Sequence, residues 1–350
     1  LMSDIEYLKY RERGFEISKE LQDSVLMTTE LWNLADALEK MERADKTLDC
    51  YKQSLEISED IRDNQLMGKS LRRIGNYYKN NKKYDKALDY FNRSFTIINE
   101  LGDKYEMGAS LQSIGDCYKD QEEYDIALNY FNRSLKIWRE IGEEYLTGFL
   151  LLAISNLFHS QGEYDNALDY SLQSLKIFEQ LGDKYWIGRS LRNVGNMYYW
   201  DEPKKAIKYY ERSLEIAQEI GDKLNMAHSL HNLGWQYAYS GDINKSIYFH
   251  TQSSKIRKII GDALGVGMSF QLIGFNHKNL GQYDMAMDFF VRSLKIREEI
   301  SDSVGIAQAL SNIGHIYFDI GEYDDALDSH VRSLKIREEL NDKRGIGSSL

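Results

Sequence analysis

The side chains of this sequence with most to offer chemically are two arginines, two tryptophans, two histidines and a phenylalanine: Arg189, Arg192, Trp200, Trp235, His228, His231 and Phe275. Arginine and tryptophan are the residue types most enriched at the centres of protein interfaces. His228 and His231 are three apart and would share one face of a helix, where they could offer a metal two ligands. Two ligands do not make a zinc site, and no carboxylate or cysteine occupies an evident facing position. Gly265-Val266-Gly267 lacks the preceding strand that a nucleotide-binding turn requires. No serine, histidine and aspartate, or cysteine and histidine, stand out as a nucleophilic set. Cys117 has Asp116 beside it, which opposes thiolate formation. These residues predict binding, with no enzyme activity, no cofactor and no metal.

What must position them is a repeat of about forty residues, written eight times. One column reads Leu31, Leu71, Leu111, Leu151, Leu191, Leu230, Phe270 and Leu310. Four residues later stand Ala35, Gly75, Gly115, Ser155, Gly195, Gly234, Gly274 and Gly314, and three further on are mostly aromatics such as Tyr78, Tyr118 and Phe158. Spacings of four and three define one helical face. A glycine inside a helix costs about 0.8–1 kcal/mol against alanine, so its recurrence predicts a second helix too close for a Cβ. That second helix carries a small residue (Ala87, Ala127, Ala206), then an aromatic or histidine (Phe91, Phe131, His250), then a serine in every copy, Ser54 to Ser333. Its small residues are expected to meet the glycines. Gly102-Asp103, Gly182-Asp183, Gly221-Asp222 and Gly261-Asp262 read as a left-handed stop followed by an N-cap. The one proline, Pro203, marks a repeat one residue short.

With 44 basic and 55 acidic residues the formal net charge is −11, which argues against nucleic acid and anionic membranes as partners. Cys50 and Cys117 occupy non-equivalent columns, so a disulfide framework is not expected and a cytoplasmic location is. The longest apolar run is about six residues against the ~20 that span a bilayer.

Leu-x-x-Ile-Gly-x-x-Tyr followed by Ala-x-x-x-Phe resembles the tetratricopeptide repeat, in a long variety similar to scaffolds of G-protein signalling and to prokaryotic regulators. The usual terminal proline is missing, and the unit exceeds the common ~34 residues. The resemblance implies an all-α, right-handed solenoid of helix-turn-helix units. Repeats are expected at about 24–61, 64–101, 104–141, 144–181, 184–220, 223–260, 263–300 and 303–340. Residues 4–21 read as a lone second helix and 343–350 as the start of a further repeat. The ends lack polar caps, which predicts a piece of a longer protein or head-to-tail self-association.

In this family the first helix of each unit lines a concave groove. Carried onto this sequence, the groove positions include Arg72, Asn76, Asn156, Arg189, Arg192, Asn196, Trp200, His228, His231, Trp235, Tyr239, Phe275 and His315. Arg192, Asn196 and Asn232 match the first three positions of a carboxylate clamp, but Met268 and Leu272 stand where its further cations would be. The expected function is an interaction scaffold in signal transduction, holding a protein or peptide with acidic and apolar residues. The alternatives are a sensor module that controls an attached effector, and a self-assembling filament.

Overall fold

Amphipathic segments of this length, each opened by an aspartate or ended by a left-handed residue, leave the chain little choice but antiparallel helical hairpins. The computed structural model describes residues 4–342 and residue 345, and the described residues form α-helices without a strand. The first half contains α1 (Asp4–Glu20), α2 (Ser24–Lys40), α3 (Ala44–Asp60), α4 (Asn64–Asn80), α5 (Tyr84–Leu101), α6 (Lys104–Asp120), α7 (Tyr124–Glu140) and α8 (Glu144–Gln161). Then come α9 (Tyr164–Leu181), α10 (Lys184–Met197), α11 (Pro203–Ile220), α12 (Lys223–Tyr239) and α13 (Ile243–Ile259). The last are α14 (Ala263–Asn279), α15 (Tyr283–Glu299), α16 (Ser303–Ile320) and α17 (Tyr323–Glu339). The expected start of a further repeat at 343–350 lies, apart from Gly345, outside the described residues.

The helices divide into two compact units, Leu1–Ser174 and Leu175–Leu350, the division falling within α9. From α1 to α8 in the first unit and from α10 to α17 in the second each helix packs on its chain neighbours, and even-numbered helices approach one another, as α2, α4 and α6 do in the first unit and α10 and α12 in the second.

The aspartates behave as N-caps. Asp103 accepts the Glu106 amide at 3.1 Å, and Asp222 accepts that of Asn225 at 3.0 Å. Gly102 takes φ 71° at the preceding turn, as the sequence suggests. Arg62 and Ser301 adopt the same left-handed conformation with φ 56°, so the turn geometry persists where glycine is absent.

The glycine column meets something other than the small residues expected of it. A Cβ at Gly115 would lie 2.6 Å from the ring of Phe131, and one at Gly75 would lie 2.5 Å from that of Phe91. The aromatic of the second helix lies flat against the bare backbone of the first, and alanines such as Ala127 sit beside that contact, fully buried. One repeat supplies its own control. Where the aromatic becomes Ser171, the glycine becomes Ser155; their hydroxyls are 2.5 Å apart, and Ser155 donates to the Ala167 carbonyl at 2.7 Å. Ser171→Phe is therefore expected to overpack this hairpin, costing about 1–3 kcal/mol, and Ser155→Gly in the same chain should recover most of the loss. Urea denaturation of the two single variants and the double one checks this; strictly additive losses would refute the pairing.

The constant serine ties the two helices of a unit together. Ser134 donates to the carbonyl of Gly108 at 2.8 Å, Ser213 to that of Gly188 at 2.7 Å and Ser293 to that of Gly267 at 2.8 Å. Each hydroxyl is buried and satisfied, a contribution of about 1 kcal/mol per repeat.

Candidate functional site

Half-turn differences in helix register decide which side chains a first helix can show. The column of Arg72 on α4 continues through Arg192 on α10, His231 on α12 and Gln271 on α14. In the first unit this column is quiet. Arg72 pairs with the buried carboxylate of Glu106 at 3.0 Å, and Lys69 approaches the same group at 3.8 Å. Asn76 is half-buried one turn on, and Asn156 is exposed on α8.

In the second unit the same arginine has no such partner. Among the described residues Arg192 finds no ion pair, and its Nε is buried without an acceptor. The reason is visible one repeat later: the position equivalent to Glu106, the partner of Arg72, is the neutral Asn225. Burial, reinforced by the neighbouring charge of Arg189, pulls the guanidinium pKa down to about 10, and Tyr210 and Asp222 offset only part of this. Arg189 itself stacks over Trp186 at 4.8 Å and donates to the Tyr185 hydroxyl at 2.8 Å. Asn196 accepts from Tyr210 and from Asn232, both at 2.9 Å. That leaves the two N–H donors of the Asn196 amide and the carbonyl acceptor of the Asn232 amide, groups that can bond the C=O and N–H of a peptide unit.

Further along the same unit, α12, α14 and α16 line an open cavity of about 430 Å³. Trp235, Met268, Leu272, Phe275 and Val304 make its walls predominantly apolar. His231 and Gln271 enter at the side, and Arg297, Asp302, Gly305 and Gln308 complete the lining. Trp235 and Phe275 are 42% and 38% exposed, unusual for such large apolar groups. Phe275 is held edge-on to Phe290, with ring centroids 5.3 Å apart.

Other expected site residues fall elsewhere. Trp200 lies in the turn after α10, because α10 stops at Met197 in the short repeat. There it meets Tyr199 at 4.6 Å and Tyr239 at 5.5 Å, forming a separate aromatic cluster. His315 is exposed on α16, 5.0 Å from the ring of His330. His228 and His231 are half-buried, and burial lowers both pKa values to about 4, so neither carries a charge at neutral pH. Among the described residues no three His, Cys, Asp or Glu side chains converge as metal ligands would, and no helix is long and apolar enough to cross a membrane.

Sequence reading missed Arg257 and Arg297, which belong to second helices yet reach the start of the following first helix. Arg257 pairs with Asp262 at 2.5 Å, and Arg297 pairs with Asp302 at the edge of the cavity. Burial alone would raise the Asp302 pKa, but the Gly305 amide and Arg297 outweigh it and hold the carboxyl below its usual range. The signal was present: Lys-Ile-Arg recurs at 255–257, 295–297 and 335–337, each time eight residues before a glycine.

A model of the tetratricopeptide repeat matches residues 26–100, 66–140, 106–180, 146–216, 186–259 and 268–339. No curated protein matches the chain. Among solved structures, a Signal Transduction ATPase with Numerous Domains bearing a tetratricopeptide repeat sensor, from Pyrococcus horikoshii, is 17% identical over 99% of this chain, with a TM-score of 0.72. This chain spans 52% of that protein, about half its length. The apo form of the quorum sensor NprR from B. thuringiensis is 13% identical, with 94% of this chain and 97% of that one covered and a TM-score of 0.65. A Rap protein complexed with Competence and Sporulation Factor is 15% identical, with 96% and 98% covered and a TM-score of 0.56. At such identities the likeness concerns the fold. The family matches overlap from residue 26 to residue 259 and resume at 268–339, over the same hairpins in which glycine faces aromatic and serine ties helix to helix; the chain belongs to the tetratricopeptide repeat family.

Proposed function

We infer that this chain is a protein-interaction module that holds an extended peptide, or an extended segment of a partner, across the first helices of its second unit. One observation carries the reading: the unit that holds an open, mostly apolar cavity of about 430 Å³ on α12, α14 and α16 also carries, on α10, an arginine with no counter-ion among the described residues. A cavity of this size accepts one large apolar side chain, and solvent-exposed aromatics at its rim are the residue types that dominate binding energy. The free amide groups of Asn196 and Asn232 suit the backbone of an extended ligand. The arginine suits a ligand with acidic as well as apolar residues. That two structurally similar proteins are described as sensors supports a second reading, in which occupancy of this site is transmitted to an attached effector.

Selection from a random peptide display library on the wild-type chain tests the first reading. Binders are expected, and Trp235→Ala should weaken them about thirtyfold, the loss typical of an aromatic at the centre of an interface. The melting temperature should hardly change, because the Trp235 side chain is partly in water already. Failure to select any binder, or binders indifferent to Trp235→Ala, would refute the site.

A further inference from the structure

The two arginines at equivalent positions, Arg72 and Arg192, differ in one respect that the repeat itself isolates. Each lies on a first helix, and what distinguishes them is the third residue of the next first helix. In the first unit that residue is Glu106, and the pair closes at 3.0 Å. In the second unit it is Asn225, whose amide instead approaches Ser213 at 3.4 Å and Gly188 below it. The geometry of this column thus accommodates a carboxylate, as Glu106 demonstrates, and at Arg192 the protein omits it. The surroundings do not compensate. Arg189 adds a second positive charge, and His228 is neutral. The acid that acts on Arg192 is Asp222, whose side chain is engaged in capping α12. Burying a cation without a partner costs stability, and such a cost persists at sites kept ready for a ligand.

We propose that Arg192 is held open to receive the carboxylate of a glutamate or aspartate side chain, in an extended peptide whose large apolar side chain fills the cavity beneath Trp235. This rests on the peptide-binding reading above and adds the identity and spacing of two recognised residues. Neighbouring packed helices lie about 10 Å apart, so the point between α10 and α12 where Arg192 waits is about 15 Å from α14 at the centre of the cavity. The two sites are at the same height along the helices, because Arg192 and Gln271 occupy one column. An extended chain advances about 3.3–3.6 Å per residue, so the acid and the apolar residue should be about four or five positions apart.

The test is fluorescence anisotropy with labelled synthetic peptides in a Gly/Ser host. Each carries one Glu and one Phe separated by two to eight positions, in both orders, and matching peptides carry Gln in place of Glu. The tightest binding is expected at a separation of about four or five, with the Gln counterpart weaker by about tenfold or more. Arg192→Gln should bring the Glu peptide to the level of the Gln peptide while leaving the latter unchanged. Asn225→Glu should do the same by supplying the missing acid from within, and neither variant should melt below the wild type. Equal affinity for Glu and Gln peptides, indifference to separation, or variants that weaken both peptides alike would overturn the proposal. No binding by any peptide of the panel would also overturn it. Binders from the display library that depend on Trp235 but lack the acid would leave the peptide-binding reading standing and remove only this inference.

Discussion

Replacing Gly265 with leucine is expected to destabilise the chain by about 3 kcal/mol or more, although leucine stands at the equivalent positions 66 and 146. A Cβ at Gly265 would fall onto the guanidinium of Arg257 and the carboxylate of Asp262. Arg257 is 5% exposed; it pairs with Asp262 at 2.5 Å and donates from Nε to Ser253 at 3.2 Å. Displacing it breaks a largely buried pair, a change that typically costs about 3–5 kcal/mol. The preceding repeat shows how the same space is filled without charge. There the arginine is Ala217 and the glycine is Asn225, whose amide reaches Ser213 at 3.4 Å much as Arg257 reaches Ser253. Arg257→Ala combined with Gly265→Asn should therefore lie within about 1 kcal/mol of wild type, far above Gly265→Leu. Urea denaturation read by circular dichroism decides the point. A Gly265→Leu chain as stable as wild type would show that the ion pair is not held in place.

Acidification from pH 7 to pH 5 is expected to lower the melting temperature of the second unit through its buried histidines. In an unfolded chain an imidazole takes up its proton near pH 6.5. In the folded chain burial delays protonation to about pH 4 for His228 and His231 and to about pH 3 for His250. The charge of Arg257 opposes it at all three, Arg192 adds to it at His228, and Asp262 offsets a little of it there. Between pH 6.5 and 4 the unfolded chain thus binds more protons, so stability is full above this window and is lost as the pH falls through it. For His231 alone the loss between pH 7 and 5 is about 2 kcal/mol, or about 5 °C in melting temperature. His250 stands where other repeats place Phe91, Phe131 or Phe290 against the glycine, and its Nδ1 has no partner. His250→Phe should remove one of these groups, the one whose ring lies 5.5 Å from that of His231. The fall in melting temperature between pH 7 and 5 should then be visibly smaller than in wild type. An identical fall in both chains would assign the acid sensitivity to carboxylates instead.

The sequence alone determined the helices, their order and most of their turns, because those depend on local chemistry repeated eight times. A leucine, a glycine and an aromatic at spacings of four and three admit one periodicity, and an aspartate after a left-handed residue opens a helix wherever it occurs. It also indicated the stretch from Arg189 to Phe275 as the part that departs from the pattern. The tertiary structure decided what touches what. Glycine faces aromatic rather than alanine, and the serine column reaches carbonyls of the preceding helix, as Ser134 does that of Gly108, twenty-six residues earlier. Contacts of this kind join two helices, so neither helix's own periodicity records them. The candidate site shows the same limit most sharply. Arg72 and Arg192 are one residue type in one column, and nothing near either in the chain distinguishes them. Their difference comes from residues more than thirty positions away, Glu106 and Asn225, which packing brings opposite them. Whether a half-buried arginine is neutralised by its own protein or left open depends on that pairing, and pairing across helices is a property of the folded chain.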